Sequence, residues 1–360
     1  MTYIGAEVII SPMGGTTAEN WSAMRANRSG ISLVSKAGFD NADFYLSKIL
    51  SLSGGYKFEK LLLEALESVS AMIDPEILSS ERTIIIVSST KGELDEDIKD
   101  QFSHSAKALV TRFKLVNEPV IVSNACISGV LAINTAQQFI QAKIYDHAVV
   151  IGCDVISDFV VYGFQSLFAI SDAPCLPFDA QRNGITMGEG CGAVVVSNAK
   201  EIFQNAPLAL FPGTSANDAN HISGPSRTGE GLFRSVKRTL ELNKIATDEI
   251  DFISAHGTAT VFNDEMESIA FDRLGLNDVP LNSLKGYFGH TLGAAGVIET
   301  AASMQMMRNS TLIKSLGYQA SGTSKTLNVI SENKEKKLNT ILKTASGFGG
   351  GNASLIIRSL

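Results

Sequence analysis

Apolar residues along the chain fall into two patterns, short unbroken runs and longer helical stripes. Residues 3–11, 147–153 (HAVVIGC) and 192–196 (GAVVV) read as strands, and the continuous β-branched run 83–88 (TIIIVS) as a buried strand. Leu61, Leu62, Ala65, Leu66, Val69, Met72 and Ile73 recur at helical spacing instead, and Asp74-Pro75 ends that helix. A shorter helix over 18–26 carries the only tryptophan, Trp21. The polar stretch 197–207 breaks the pattern and suggests a boundary between two units, 1–200 and 201–360. Beyond it the scheme recurs, with helices over 231–242, 264–274 and 296–307 and strands over 250–255, 280–283, 339–345 and 353–358. Alternating strands and helices in both halves predict an α/β protein with mostly parallel sheets. Each half also has a strand that runs into a small-residue corner and then a helix, a weak internal symmetry.

Composition narrows the field. Of the 360 residues, 44% are hydrophobic and 19% charged, enough to bury a large core. A formal net charge of −7 argues against a general nucleic-acid binder, which needs a basic surface for phosphates. No apolar run approaches the roughly 18 residues of a membrane span. Residues 1–7 lack a basic stretch followed by an apolar one, so no signal peptide is read and a cytoplasmic location is expected. The four cysteines, Cys126, Cys153, Cys175 and Cys191, lack C-x-x-C spacing, so reduced thiols and no metal site are expected.

The candidate chemistry centres on Cys126. The run Pro119-Val120-Ile121-Val122 climbs to Ser123-Asn124-Ala125-Cys126, and a helical pattern follows from Val130 to Ile140. Such a corner places the thiol at a helix start, where free N–H groups and the macrodipole favour the thiolate and lower a thiol pKa. Two of the five histidines have unusual settings: His256 ends the run 251–255, and His290 opens a helix in Gly-His-Thr-Leu-Gly-Ala-Ala-Gly. Strand ends in an open α/β sheet converge on one crevice, so Cys126, His256, His290 and the glycine-rich turn at Phe348 can meet there. Cys153, Cys175 and Cys191 read as packed thiols, His104 and His147 as surface residues, and His221 as a loop residue. Asp264 reads as a cap of the following helix. Glu299, among alanines and glycine, reads as a buried carboxylate in need of a partner, and Lys285 is available.

These residues carry a family resemblance. Ser11-Pro12-Met13-Gly14, Glu19-Asn20-Trp21, Ser29-Gly30-Ile31, Phe178-Asp179-Ala180-Gln181-Arg182-Asn183-Gly184 and Gly188-Glu189-Gly190 stand in order along the chain. So do His256-Gly257-Thr258-Ala259-Thr260, Asn263-Asp264, Lys285, Gly289-His290 and Gly347-Phe348-Gly349-Gly350. Together they resemble a β-ketoacyl-acyl-carrier-protein synthase of the elongating, Cys-His-His type. The resemblance implies a thiolase-like fold: two similar α/β halves with mixed five-stranded sheets in an α-β-α-β-α layering. It implies a decarboxylative Claisen condensation between an acyl group on Cys126 and malonyl-acyl-carrier protein. Cys126 would be the nucleophile, and His256 and His290 would stabilise the malonyl enolate. Lys285 and Glu299 would be a supporting ion pair, with Asp264 beside them. The N–H groups of Cys126 and Phe348 would form the oxyanion hole, Phe348 the gate, and Thr258 and Thr260 would hold the pantetheine arm. No resident cofactor or metal is implied, because phosphopantetheine arrives on the carrier protein. The implied partners are acyl- and malonyl-carrier protein and a second synthase-like subunit, identical or related, joined through the strand before Cys126.

Competing readings fail on particular residues. A thiolase needs a second cysteine in the C-terminal half, and none follows Cys191. Lys285 shortly before Gly289-His290 favours Cys-His-His over Cys-His-Asn. A non-catalytic chain-length-factor type partner usually lacks the cysteine, so Cys126 favours the catalytic half of any such heterodimer. The resemblance implies chain elongation in fatty-acid or in polyketide or polyene synthesis. The chain is short for the family, with 31–84 and 91–119 trimmed, and a compact synthase suits a specialised pathway, such as a polyene or aryl-polyene pigment or lipid, rather than bulk fatty-acid synthesis.

Overall fold

The computed structural model describes residues 1–52, 54–218 and 224–360. His221 lies outside them. To the main sheet the N-terminal part supplies five strands: β1 (Thr2–Ile10), β2 (Thr83–Ser88), β3 (Val120–Val122), β4 (His147–Asp154) and β5 (Gly190–Ser197). The C-terminal part supplies β6 (Leu208–Asn217), β7 (Phe252–Ser254), β8 (Leu281–Asn282), β9 (Thr340–Ser346) and β10 (Gly351–Arg358). The first set lies in the order β1-β5-β4-β2-β3 and the second in the order β6-β10-β9-β7-β8. Adding five to each label converts one order into the other, so the weak symmetry of the sequence is a duplication of topology.

Strand direction repeats too. In the first half β1–β5 and β5–β4 pair antiparallel, β4–β2 and β2–β3 parallel. The second half does the same with β6–β10, β10–β9, β9–β7 and β7–β8. The expectation of mostly parallel sheets is therefore corrected: half of these pairings are antiparallel. The last strand of each half causes this, since it runs back antiparallel along its predecessor. Thr2–Ile4 also pairs with Leu208–Leu210, which joins the two five-stranded halves edge to edge into one ten-stranded sheet.

Helices complete the layers. The helix α1 (Lys57–Ser70) covers β1, β4 and β5 from outside. Two helices fill the space between the halves, α2 (Ser128–Gln141) after β3 and, further along, Ala295–Arg308 after β8. Each touches strands of both halves. On the far side α3 (Glu230–Asn243) packs on β6 and β10, with α4 (Val261–Arg273) beside it. The Ala295–Arg308 helix, α5, is apolar or small on almost every face, as a helix buried all round must be. It crosses α2 backbone to backbone. A Cβ on Gly129 would stand 2.8 Å from the Val297 nitrogen, and one on Gly296 2.5 Å from the Val130 nitrogen. Only glycine permits this approach, and it brings the corners that carry Cys126 and His290 together.

Candidate active site

Cys126 sits on a tight elbow between β3 and α2. The preceding Ala125 has φ +44°, a left-handed conformation that costs a non-glycine residue on the order of 1 kcal/mol. Ser128 stabilises the elbow: its Oγ accepts from the Asn124 N–H at 2.7 Å and donates to the Ala125 carbonyl at 2.6 Å. The thiol is buried, and here a sequence expectation is overturned. Removal from water pushes the Cys126 thiol up to about 12, although the Lys285 ammonium and the Phe348 N–H pull it down. The helix start favours negative charge, but desolvation outweighs it. The resting group is a thiol and needs a base.

That base is in place. The Nε2 of His290 lies 3.0 Å from the Cys126 Sγ. His290 follows the short helix Lys285–Phe288 and Gly289, whose φ of +67° turns the chain against Gly188. Its N–H donates to the Thr186 carbonyl at 2.7 Å. The His256 ring stands edge-on to it, centroids 5.2 Å apart. Burial first, and then the Lys285 and Lys343 ammoniums, hold both imidazoles well below their ordinary pKa, with His290 adding to the effect on His256. Both are neutral near pH 7.

The two histidines differ in how they are fixed. Lys285 Nζ donates to the Nδ1 of His256 (3.3 Å), to its carbonyl (2.5 Å) and to Glu299 Oε1 (2.7 Å). An ammonium on Nδ1 leaves the proton on Nε2, so His256 is set as a donor. The Nδ1 of His290 has no hydrogen-bond partner among the described residues, so neither tautomer is locked. Lys285 and Glu299 form the ion pair that the sequence suggested.

Two carboxylates of α4 hold the turn after His256. Glu267 accepts from the His256 N–H (2.8 Å) and the Gly257 N–H (2.6 Å). Asp264 accepts from the N–H groups of Thr258 (2.9 Å) and Phe178 (2.7 Å). Asp264 is thus not the helix cap that the sequence suggested. Thr260 is the cap, its Oγ1 accepting from the Asn263 N–H at 3.3 Å, because only the residue before the first turn can reach that donor. Burial and the neighbouring Asp264 push the Glu267 carboxyl up to about 7.

Cys126, His256, His290, Thr258, Thr260 and Phe348 line one cavity of about 410 Å³. The hydroxyls of Thr258 and Thr260 meet at 2.9 Å. Phe348 stacks on Phe164, ring centroids 5.2 Å apart, and the exposed Val261 and Phe262 border the same opening. Gly347 lies against the elbow: a Cβ there would be 3.1 Å from the Cys126 nitrogen. All the candidate site residues therefore meet at one place, with Asp264 behind the His256 turn and Glu299 beneath the histidines.

The donor atoms of Cys126, His256 and His290 lie within 4.8 Å of one another, a set that a soft metal ion accepts by composition. The ammonium on His256 Nδ1, beside a second lysine, opposes a cation there. In a second cluster, Glu59, Glu93 and His104, the His104 Nδ1 lies 2.8 Å from Glu59 Oε2. His104 is exposed, and His147 is half-buried with Nδ1 2.8 Å from Ser197 Oγ. The other three cysteines are buried and form no disulfide, and Cys175 Sγ donates to the Lys285 carbonyl at 3.3 Å.

Sequence reasoning missed Lys343, Glu267 and Phe164. A lysine inside the apolar run TILKTAS was a signal for the first. A second acid one turn after Asp264 was a signal for the second. Nothing local marked Phe164.

A duplicated α/β fold with a buried cysteine and two neutral histidines at its centre is an arrangement of the thiolase-like class. The β-ketoacyl synthase N-terminal domain profile matches residues 61–201, and the β-ketoacyl synthase C-terminal domain profile matches residues 208–319. The chain belongs to the β-ketoacyl synthase family. Among curated relatives, a 3-oxoacyl-[acyl-carrier-protein] synthase 2 of Coxiella burnetii is 25% identical over 97% of this chain and 96% of its own length. A putative mitochondrial 3-oxoacyl-[acyl-carrier-protein] synthase of Schizosaccharomyces pombe is 32% identical over 66% of this chain, and the match spans 60% of that relative. Among solved structures, a ketosynthase in complex with its chain length factor from Xenorhabdus doucetiae superposes with a TM-score of 0.88 at 24% identity. That match covers 100% of this chain and 98% of the other.

Proposed function

We propose that the protein joins an acyl group carried on Cys126 to malonyl-acyl-carrier protein, giving 3-oxoacyl-acyl-carrier protein and carbon dioxide. The observation that carries this reading is the 3.0 Å contact between His290 Nε2 and Cys126 Sγ, beside a second histidine fixed as a donor. In the first step His290 takes the thiol proton and the sulfur attacks the carbonyl of an acyl-pantetheine thioester. The N–H groups of Cys126 and Phe348 receive the negative oxygen. The tetrahedral intermediate collapses, the carbon–sulfur bond to pantetheine breaks, and His290 returns its proton to the departing sulfur. Malonyl-pantetheine then occupies the same cavity, its arm beside Thr258 and Thr260. Nε2–H of His256, and of His290 in its other tautomer, donate to the malonyl thioester oxygen. The carboxylate leaves as carbon dioxide, and the electron pair of the broken bond forms the enolate. The enolate carbon attacks the acyl group on Cys126, and the sulfur leaves as the thiolate, to be reprotonated.

The chemistry of this reading uses no resident cofactor, since phosphopantetheine comes on the carrier-protein substrate. Acyl- and malonyl-carrier proteins are the proposed partners, with a second synthase-like subunit at the edge strand β3. A heterodimer with this chain as the catalytic half, in polyketide or polyene synthesis, is the second reading, favoured by the presence of Cys126 itself. Among the described residues no helix is long and apolar enough to cross a membrane, and a cytoplasmic site of action is part of the proposal. The test is reconstitution with acyl- and malonyl-carrier proteins. A 3-oxoacyl product that disappears with Cys126→Ala supports the reading. Product formation by the Cys126→Ala variant contradicts it.

A further inference from the structure

Lys343 stands in the middle of β9 with its side chain on the face of Ile341 and Ala345, turned toward the central helices. It is fully buried. Its three ammonium donors meet three acceptors: Glu299 Oε2 at 2.6 Å, the Ser254 carbonyl at 3.3 Å and the Ala255 carbonyl at 3.4 Å. A buried charge is kept only where it is paired and hydrogen-bonded, and here all three donors are used. Ser254 and Ala255 are the residues immediately before His256. Glu299 therefore holds two lysines, Lys285 on one oxygen and Lys343 on the other.

We propose that Lys343 is a positioning residue of the reaction, fixing the strand end that presents His256 and adding a second positive charge beneath both histidines. This rests on the condensation reading above. The groups that face the two imidazoles are Lys285, Lys343, Glu299, the Cys126 thiol and, behind the His256 backbone, Glu267 and Asp264. The Lys285 and Lys343 ammoniums each oppose protonation of either ring. His290 acts as base only while neutral. Without the Lys343 charge both rings protonate at higher pH, and the acid-side loss of loading activity moves up with them. Lys285 alone cannot replace the tie to Ser254 and Ala255, because its donors are spent on His256 and Glu299.

The test pairs Lys343→Met with Lys343→Ala. Met fills the space and leaves Glu299 paired with Lys285, so the variant is expected to fold. Histidine ¹⁵N NMR titration, which needs no substrate, is expected to show the His256 and His290 pKa values raised by about one unit. The acid limb of the loading rate is expected to shift by the same amount, and kcat for malonyl decarboxylation to fall at least about tenfold, with little change in malonyl KM. Added ammonium or methylammonium is expected to restore Lys343→Ala, whose site is open, and not Lys343→Met. Unchanged histidine titration with unchanged kcat overturns the inference and leaves Lys343 a packing residue. If Lys343→Met does not fold, failure of ammonium to recover the fold or activity of Lys343→Ala overturns it. Because the titration is read without turnover, a wild-type protein that makes no 3-oxoacyl product sinks the condensation reading alone.

Discussion

At the scale of single residues the two histidines divide the work by how they are held. His256 is fixed as a donor by Lys285, whereas His290 is free to accept a proton in one half-reaction and donate in the other. The family resemblance alone assigned both rings mainly to malonyl. The 3.0 Å contact to a thiol pushed up to about 12 gives His290 a part in loading as well. His290→Ala is therefore expected to slow acylation of Cys126 by about 10²-fold near pH 7. The deficit should shrink as pH rises toward the thiol pKa and hydroxide replaces the base. Malonyl decarboxylation should stay lost at every pH, as followed by carbon dioxide release. His256→Ala is expected to keep most of its loading rate and to lose decarboxylation by about 10²–10³-fold, since the hydrogen bond to the sulfur is made by His290. Equal loss of both half-reactions in both variants would contradict this division. The identities of Cys126, His256, His290, Lys285 and Glu299 were legible because each stands in a distinctive local motif. The state of the thiol was not, because burial is set by residues from both halves of the chain.

Among the elements, the site rests on two glycines that do not line its cavity. Gly129 and Gly296 let α2 and α5 cross in backbone contact, and each helix begins a few residues after a reacting side chain. Gly129→Ala and Gly296→Ala are each expected to destabilise the fold by about 1–3 kcal/mol, measured by denaturant titration. Activity should fall further than the loss of folded protein explains, because separating the helices moves His290 from Cys126. A variant with wild-type stability and activity would show that the contact is not needed. The strands and helices were mostly legible from their apolar runs, and TIIIVS over Thr83–Ser88 matches a strand residue for residue. The antiparallel return of β5 and β10 was not, because direction follows from how a connection runs in space. Asp264 misled because an acid in a first turn usually serves that helix, whereas here it reaches back to Thr258 and Phe178.

At the scale of the whole molecule, duplication explains why distant motifs share one site. Cys126 follows β3 and His290 follows β8, so they occupy equivalent corners of the two halves. The repeat also ends in unequal edges. At β8 the edge is bridged by Val329, whereas β3 at the other end carries half-buried apolar residues beside an open edge. An open apolar edge next to the nucleophile suits a second subunit. Val122→Asp is expected to lower the mass in analytical ultracentrifugation from that of a dimer to that of a single chain. A wild-type protein that sediments as one chain both alone and with candidate partners would contradict a subunit interface at β3.

Acylation of Cys126 by a carrier-bound thioester, assisted by His290, is the step on which the proposed reaction depends. Intact-protein mass spectrometry after incubation with a panel of acyl-carrier proteins tests it most directly. The expected result is a mass gain of one acyl group on the wild-type protein, none on Cys126→Ala, and a slow gain on His290→Ala that quickens with pH. An acyl group that appears on Cys126→Ala, or none on the wild type with any chain in the panel, would contradict it.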